Sequence, residues 1–255
     1  MGNKKVKHKL NKKALLVILL ALYLIIMTFY YVFTMPIKSI LINGNTLVSD
    51  SDIIKAANIG NYPSIFKVSS KSIINNVNKL NFIEEVDVSK SISGIITINV
   101  KESKVLFLNK LNNTYVLSNK EEINCSEVEL NGIPTLVNYV PSDIYEDLIE
   151  KLSEIDSDII SSISEIEYNP DIKDEVTINE GRFILRMNDG NHIYIDIVNF
   201  ENLNKYKIIY SSLDEKGVLH LDVVYSENNT ITFTSFAALA AQQNSEEGED
   251  NELSQ

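Results

Sequence analysis

From Ala14 to Ile37 the chain carries no charged residue, and the stretch ALLVILLALYLIIMTFYYVF is apolar almost throughout. At about 1.5 Å per residue, such a run wound as a helix exceeds the roughly 30 Å hydrocarbon core of a bilayer. A secretory signal peptide is the competing reading. Its apolar region runs only about 7–15 residues and ends at a small-residue cleavage site, and YYVFTMP offers none. Residues 14–35 are therefore expected to form an uncleaved transmembrane helix. Lys4, Lys5, Lys7, Lys9, Lys12 and Lys13 precede it, and nothing of that density follows. The positive-inside rule then puts the basic tail, residues 1–13, in the cytoplasm and everything from Ile37 onward outside. Phe29, Tyr30, Tyr31 and Phe33 gather at the far end of the run, where amphipathic rings favour the headgroup zone. The Met1-Gly2 start has Val6 where a myristoylation motif wants Ser or Thr.

The charge balance removes one class of partner. The net charge is −12, no acidic residue occurs before Asp50, and the outer body is strongly acidic. Nucleic-acid binding is driven by Lys and Arg displacing counterions from phosphates, so no nucleic acid is expected. Chemistry is equally sparse. Cys125 is the single cysteine, so it forms no intramolecular disulfide and reads as a small core or surface residue. His8, His192 and His220 form no metal-ligand pattern with it. Phosphate-cradling glycine loops and Gly-x-Ser-x-Gly are missing. Carboxylates are abundant, but a glycoside-hydrolase pair needs a cleft and a raised pKa that a sequence does not display. His220, on a strand between Leu219 and Leu221, has no nucleophile near it in sequence and suits a surface or interface role. The expectation is a protein that is not an enzyme, with no catalytic, cofactor-binding or metal residues.

Residues 36–104 read as a first outer domain. KSILINGN is a strand ending in an Asn43-Gly44 turn. Ser49 caps a helix whose Ile53, Ala56 and Ala57 make an apolar face before Gly60 stops it. A loop around Pro63 offers Ile65 and Phe66 as anchors. Ser70 opens a second helix with Ile73, Ile74, Val77 and Leu80 on one stripe. Val86 and Val88 alternate with polar residues in a strand, Ser91 to Gly94 turn, and Ile96, Ile98 and Val100 alternate in the next. The order is β-α-α-β-β.

Residues 105–233 read as a second domain. Val105 to Leu117 is a hairpin with a polar tip at Asn109 to Asn113. Gly132 to Leu136 is extended, because the residue before Pro134 is pushed out of helical space. Ser142 starts a helix with Tyr145, Leu148, Ile149 and Leu152 on one side and Glu146, Asp147 and Glu150 on the other. Phe183, Leu185 and Met187 lead into an Asn188-Asp189-Gly190 turn, and Ile193, Ile195 and Ile197 return. Phe200, Leu203, Tyr206, Tyr210 and Leu213 give a helical stripe to cover that sheet. Val218 to Tyr225 forms a strand, with Ile231 to Phe233 as its continuation. From 234 to 255 the chain is too polar to offset its ordering entropy and reads as a disordered acidic tail.

The element order of the first outer domain, directly after an outward-facing anchor, resembles a POTRA module of the FtsQ/DivIB family. The matching residues are SILINGN, Asp52-Ile53-Ile54, Phe82 to Val88 and Ile96 to Glu102. That family often ends this strand in Glu-Arg-x-Pro, whereas Glu102 is followed here by Ser103 and Lys104. The second half resembles the family's extracytoplasmic β-domain through Ile133 to Leu136, Glu167 to Pro170, Met187 to Gly190 and Gly217 to Val223. The fold class is thus α+β: a transmembrane helix, a POTRA domain, a mixed domain on a mainly antiparallel sheet, and the tail.

The resemblance implies a single-pass scaffold of the cell-division machinery, placed at the division septum with its carboxyl terminus outside the cell. It implies that the end of the β-domain accepts a strand from a small bitopic protein of FtsB/DivIC type, itself paired with an FtsL-type protein, and that septal peptidoglycan synthases are recruited or regulated. The positions matching that surface are Leu221, Val223, Tyr225 and Phe233, with the two aromatics carrying most of the contact. For the POTRA domain the resemblance implies docking with other division proteins. Two other classes compete: a POTRA-bearing polypeptide transporter, which usually carries several repeats or a barrel, and a direct cell-wall binder or hydrolase.

Overall fold

The structure, a computed structural model, describes residues 11–173, 175–222 and 231–242. Its first element is α1, Lys12–Thr34, with mean hydropathy 2.6, long and apolar enough to cross a membrane. Hydroxyls in such a segment need partners that lipid does not supply. Thr28 donates to the Leu24 carbonyl at 2.8 Å and Thr34 to that of Tyr30 at 2.7 Å, so both are satisfied within the helix.

The chain divides into two compact units between Glu102 and Ser103. In the first, beyond α1, the elements are β1 (Ser39–Asn43), α2 (Asp50–Ala57), α3 (Ser70–Val77), β2 (Ile83–Lys90) and β3 (Ile95–Glu102), in the expected β-α-α-β-β order. β3 is central, parallel to β1 and antiparallel to β2. Ile96, Ile98 and Val100 point to one face of β3 and are buried against Ile53 and Ala57 of α2 and Ile73 and Val77 of α3. Ser49 caps α2 by accepting from the Asp52 N–H. The helix stops earlier than Gly60: Asn58 takes the left-handed conformation at φ 55° and closes it, a position Asn tolerates because its short side chain bonds locally. Ile65 is buried as an anchor, while Phe66 is exposed and meets the Phe33 ring at 5.7 Å.

The second unit holds a nine-stranded sheet. Its strands are β4 (Val105–Asn109), β5 (Thr114–Leu117), β6 (Glu122–Asn124), β7 (Thr135–Leu136), β8 (Ile163–Tyr168), β11 (Arg182–Met187), β12 (His192–Asp196), β13 (Gly217–His220) and β14 (Thr232–Ser235). β9 (Asp171–Lys173) and β10 (Val176–Asn179) form a separate two-stranded ribbon. The sheet order is β14-β13-β12-β11-β8-β7-β4-β5-β6. The neighbours β12 and β13, β8 and β7, and β7 and β4 are parallel; the other neighbours are antiparallel.

One face of this sheet is covered by α4 (Ser142–Ser153), α5 (Ser157–Ile160), a 3-10 helix (Ile197–Lys205) and α6 (Tyr206–Tyr210). Leu148, Ile149 and Leu152 of α4 join Phe200, Leu203 and Tyr206 over Phe183, Leu185, Ile193 and Ile195. The stripe 200, 203, 206 advances by three, which suits the three-residue turn of a 3-10 helix. The chain becomes α-helical only from Tyr206, and Tyr210 is left exposed.

Toward the carboxyl end the structure departs from the sequence reading. β13 ends at His220 instead of reaching Tyr225, and Val223 and Tyr225 lie outside the described residues. Residues 232–235 do not continue β13 but fold back antiparallel to it. Thr234 and Ser235 thereby belong to the sheet, and residues 236–242 are helical. Alternating β-branched Thr232 and Thr234 favour a strand, and the following Ala-rich AALAAQQ favours a helix. Ser235 caps it, its hydroxyl accepting from the Ala238 N–H at 3.2 Å.

Candidate functional site

Among the described strands, β14 is the outermost on its side of the sheet. Its pairing follows from one bond: the Phe236 N–H donates to the Lys216 carbonyl at 3.1 Å. In an antiparallel ladder, bonded and non-bonded pairs alternate, so with Gly217 opposite Ser235 and Leu219 opposite Phe233, Phe233 and Ser235 turn their own N–H and C=O groups away from β13. Outward-facing groups of this kind are what strand addition uses.

Gly217 makes the attachment of β14 possible. A Cβ there would lie 2.2 Å from the Thr234 carbonyl oxygen and 2.8 Å from Cζ of Phe233, so the Phe233 ring occupies the space a side chain would take. The Gly217 N–H donates to Oδ1 of Asn191 at 2.9 Å, Asn191 donates to the Tyr206 hydroxyl at 3.1 Å, and that hydroxyl donates to Asp189 at 2.6 Å. Burial, then the Asp189 acceptor, raise the pKa of Tyr206 far above the usual phenol value. The relay stays neutral at its centre and ties the Asn188-Asp189-Gly190 turn to the start of β13.

The far end of β13 is braced by charge. Arg182 on β11 donates to the Asn169 carbonyl at 2.9 Å and to its side-chain oxygen at 2.8 Å. Its guanidinium lies 5.2 Å from the centre of the Tyr194 ring, 3.8 Å from Asp171 and 4.0 Å from Asp222, whose side chain is 0% exposed. His220 stacks on Tyr194 at 5.1 Å and 9°, with Nδ1 3.4 Å from Asp222. One strand turn away, Arg186 reaches Glu165 at 3.2 Å and Glu167 at 2.6 Å. His192 packs against Phe236 at 5.2 Å, and burial, followed by the Arg186 charge, holds its pKa below the ordinary histidine value.

The positions singled out from sequence separate here. Leu221 is a core residue at 5% exposure, its N–H bonded to the Tyr194 carbonyl at 2.8 Å. It supports the edge from inside and is not a surface contact: just beyond β13 it joins Leu219 in the buried core. Phe233 is half-buried, with its backbone on the edge. His220 is half-buried and stacked. Sequence reasoning passed over Arg182 and Arg186, although a signal existed: they are the only arginines in the chain, and both lie on β11.

Residues 35–103 match the family model described as POTRA domain, FtsQ-type. Among curated relatives, the cell division protein DivIB of Brevibacillus brevis is 26% identical over 223 residues, covering 83% of this chain and 81% of that protein. DivIB of Bacillus cytotoxicus is 25% identical over 238 residues, covering 88% and 89%. DivIB of Listeria monocytogenes is 24% identical, covering 84% and 83%. A solved structure of the major extracytoplasmic domain of DivIB from Geobacillus stearothermophilus is 25% identical, with a TM-score of 0.35, covering 45% of this chain and 96% of that one. Residues 35–103, the β-α-α-β-β unit that follows the apolar helix, thus form a POTRA domain of FtsQ type, and across both units the chain is similar to DivIB cell division proteins.

Proposed function

We propose that this chain is a single-pass scaffold of the bacterial division machinery that holds other division proteins together outside the membrane. Its relatives of similar length are cell division proteins, and the six lysines before α1 favour a cytoplasmic amino terminus. The observation that carries the reading is the edge strand β14, whose Phe233 and Ser235 backbone groups face away from β13. A segment of an FtsB/DivIC-type protein, paired with an FtsL-type protein, adds there as a tenth strand, with the exposed part of the Phe233 ring as an anchor. Leu221 holds the register of the edge from the core, and Val223 and Tyr225 extend the contact along the chain. Through these partners the protein recruits or regulates septal peptidoglycan synthases without chemistry of its own.

The test is recovery of co-expressed DivIC-type and FtsL-type partners with the full chain from membranes. Phe233→Asp is expected to abolish recovery while the protein stays folded and in the membrane; undiminished recovery overturns the assignment. A fluorescent fusion at the cytoplasmic end is expected to form a ring at midcell before constriction.

A further inference from the structure

β4 and β7 are parallel neighbours whose onward connections diverge. From β4 the chain passes to β5 on one side; from β7 it passes through α4 to β8 on the other. Where connections part in this way nothing crosses over the strand ends, and open sheets with parallel strands hold ligands in the crevice outside those carboxyl ends. A cavity of about 250 Å³ lies at this point. Its walls are Asn109 at the end of β4, Leu136 at the end of β7, and Tyr145 in the first turns of α4. Five strands of the sheet order lie between β4 and β14, so the crevice is distinct from the proposed partner edge.

We propose that this crevice binds a neutral sugar ring. Charge narrows the ligand first. Glu146 is the only charged residue among the described residues of the lining. Its carboxylate and the positive end of the α4 dipole oppose each other, so the crevice favours neither an anion nor a cation.

The surfaces then suit a ring with one apolar face and a polar rim. Tyr139 stands 69% exposed at the lip, next to the buried Val140 and Leu136. Such an aromatic platform beside a few polar groups is how pockets take amphipathic small molecules. Asn112, Ser142 and Glu146 add an amide, a hydroxyl and a carboxylate around it.

The wall behind is rigid. Asn109 accepts from the N–H groups of Leu111 at 3.1 Å and Asn112 at 3.4 Å while donating to the Tyr145 hydroxyl at 3.1 Å. Tyr145 donates to Glu122 at 3.3 Å and sets its ring edge-on to Phe107 at 5.8 Å. Asn138 is held in both directions by the Tyr168 backbone at 2.8 Å. A pocket whose walls are fixed before binding loses little entropy when it is filled.

The experiment uses the full chain in lipid nanodiscs free of sugar-headed detergent. Saturation-transfer NMR is run with glucose, N-acetylglucosamine and their β1,4-linked tetramers. Saturable binding of at least one is expected, weakened about tenfold by Tyr139→Ala and by Glu146→Ala. Both residues are exposed, so the unfolding temperature and partner recovery should stay at wild-type values. Absence of saturable binding, binding equal in wild type and both variants, or competition by inorganic phosphate overturns the proposal.

Discussion

The carboxylate of Glu102 grips the backbone nitrogen of Leu47, its two oxygens lying 3.1 and 2.9 Å away. The same group accepts from the N–H of Thr46 at 2.9 Å and of Val48 at 2.8 Å. The last residue of β3 thus fixes the loop that leads into α2, whose cap Ser49 comes next. Replacing Glu102 by Ala leaves three N–H groups to water and should cost about 1–3 kcal/mol. Glu102→Gln keeps one accepting oxygen and should recover part of the loss. Thermal unfolding of the three proteins checks this, and equal midpoints would refute it.

Gly217 and Gly132 make a matched pair of substitutions. A Cβ at Gly217 collides with the β14 backbone, whereas one at Gly132 meets nothing within 4 Å and suffers only from a φ of 73°. Gly132→Ala should cost about 1 kcal/mol. Gly217→Ala should strip β14 from the sheet. Hydrogen exchange reads the difference directly: the amides of Thr232 and Thr234 should lose protection in the second variant while those of α4 keep theirs.

The edge can be dissected at one residue. Phe233→Ala removes the ring but keeps the outward N–H, and Phe233→Pro removes both. Proline is tolerated on an edge strand where its missing donor faces solvent, so both variants should fold. Partner recovery is expected to fall for Ala and vanish for Pro. Equal recovery for the two would mean that no partner strand bonds to this N–H.

Acid should loosen the face that carries His192. Its folded pKa is depressed, by burial first and the Arg186 charge second, so the unfolded chain binds the proton more readily. The contribution to stability is complete above the unfolded histidine pKa of about 6.5 and is lost as pH falls through the folded value. Between pH 7.5 and 5, His192→Gln should therefore lose less stability than wild type. Chemical denaturation at the two pH values measures it, and identical losses would exclude the effect.

Much of the first unit was legible because its signals are local. Ile96, Ile98 and Val100 alternate within one strand, and Ser49 meets its own helix three residues on. The second unit was legible where a pattern stays within one element, as in α4. It became obscure where burial depends on distant pairing. Leu221 looks like an exposed strand residue until the core that buries it is in place. Phe200, Leu203 and Tyr206 gave the right residues but the wrong helix type, because a period of three lies close to 3.6. The bracing of β13 by Arg182 joins residues from three separate segments, and only the scarcity of arginine hinted at it.

Among the described strands β14 comes last in the sequence, yet it forms one border of the sheet. In the proposed topology, with the chain exported from its anchor onward, residues 232–235 would emerge after all the described strands they join. Under the proposed function, the surface offered to partners would then come into being only once the body behind it has been delivered and folded, so assembly would wait on completed export. A chain stalled partway would carry its anchor and first unit but present no binding edge, and unfinished molecules would be kept out of the complex.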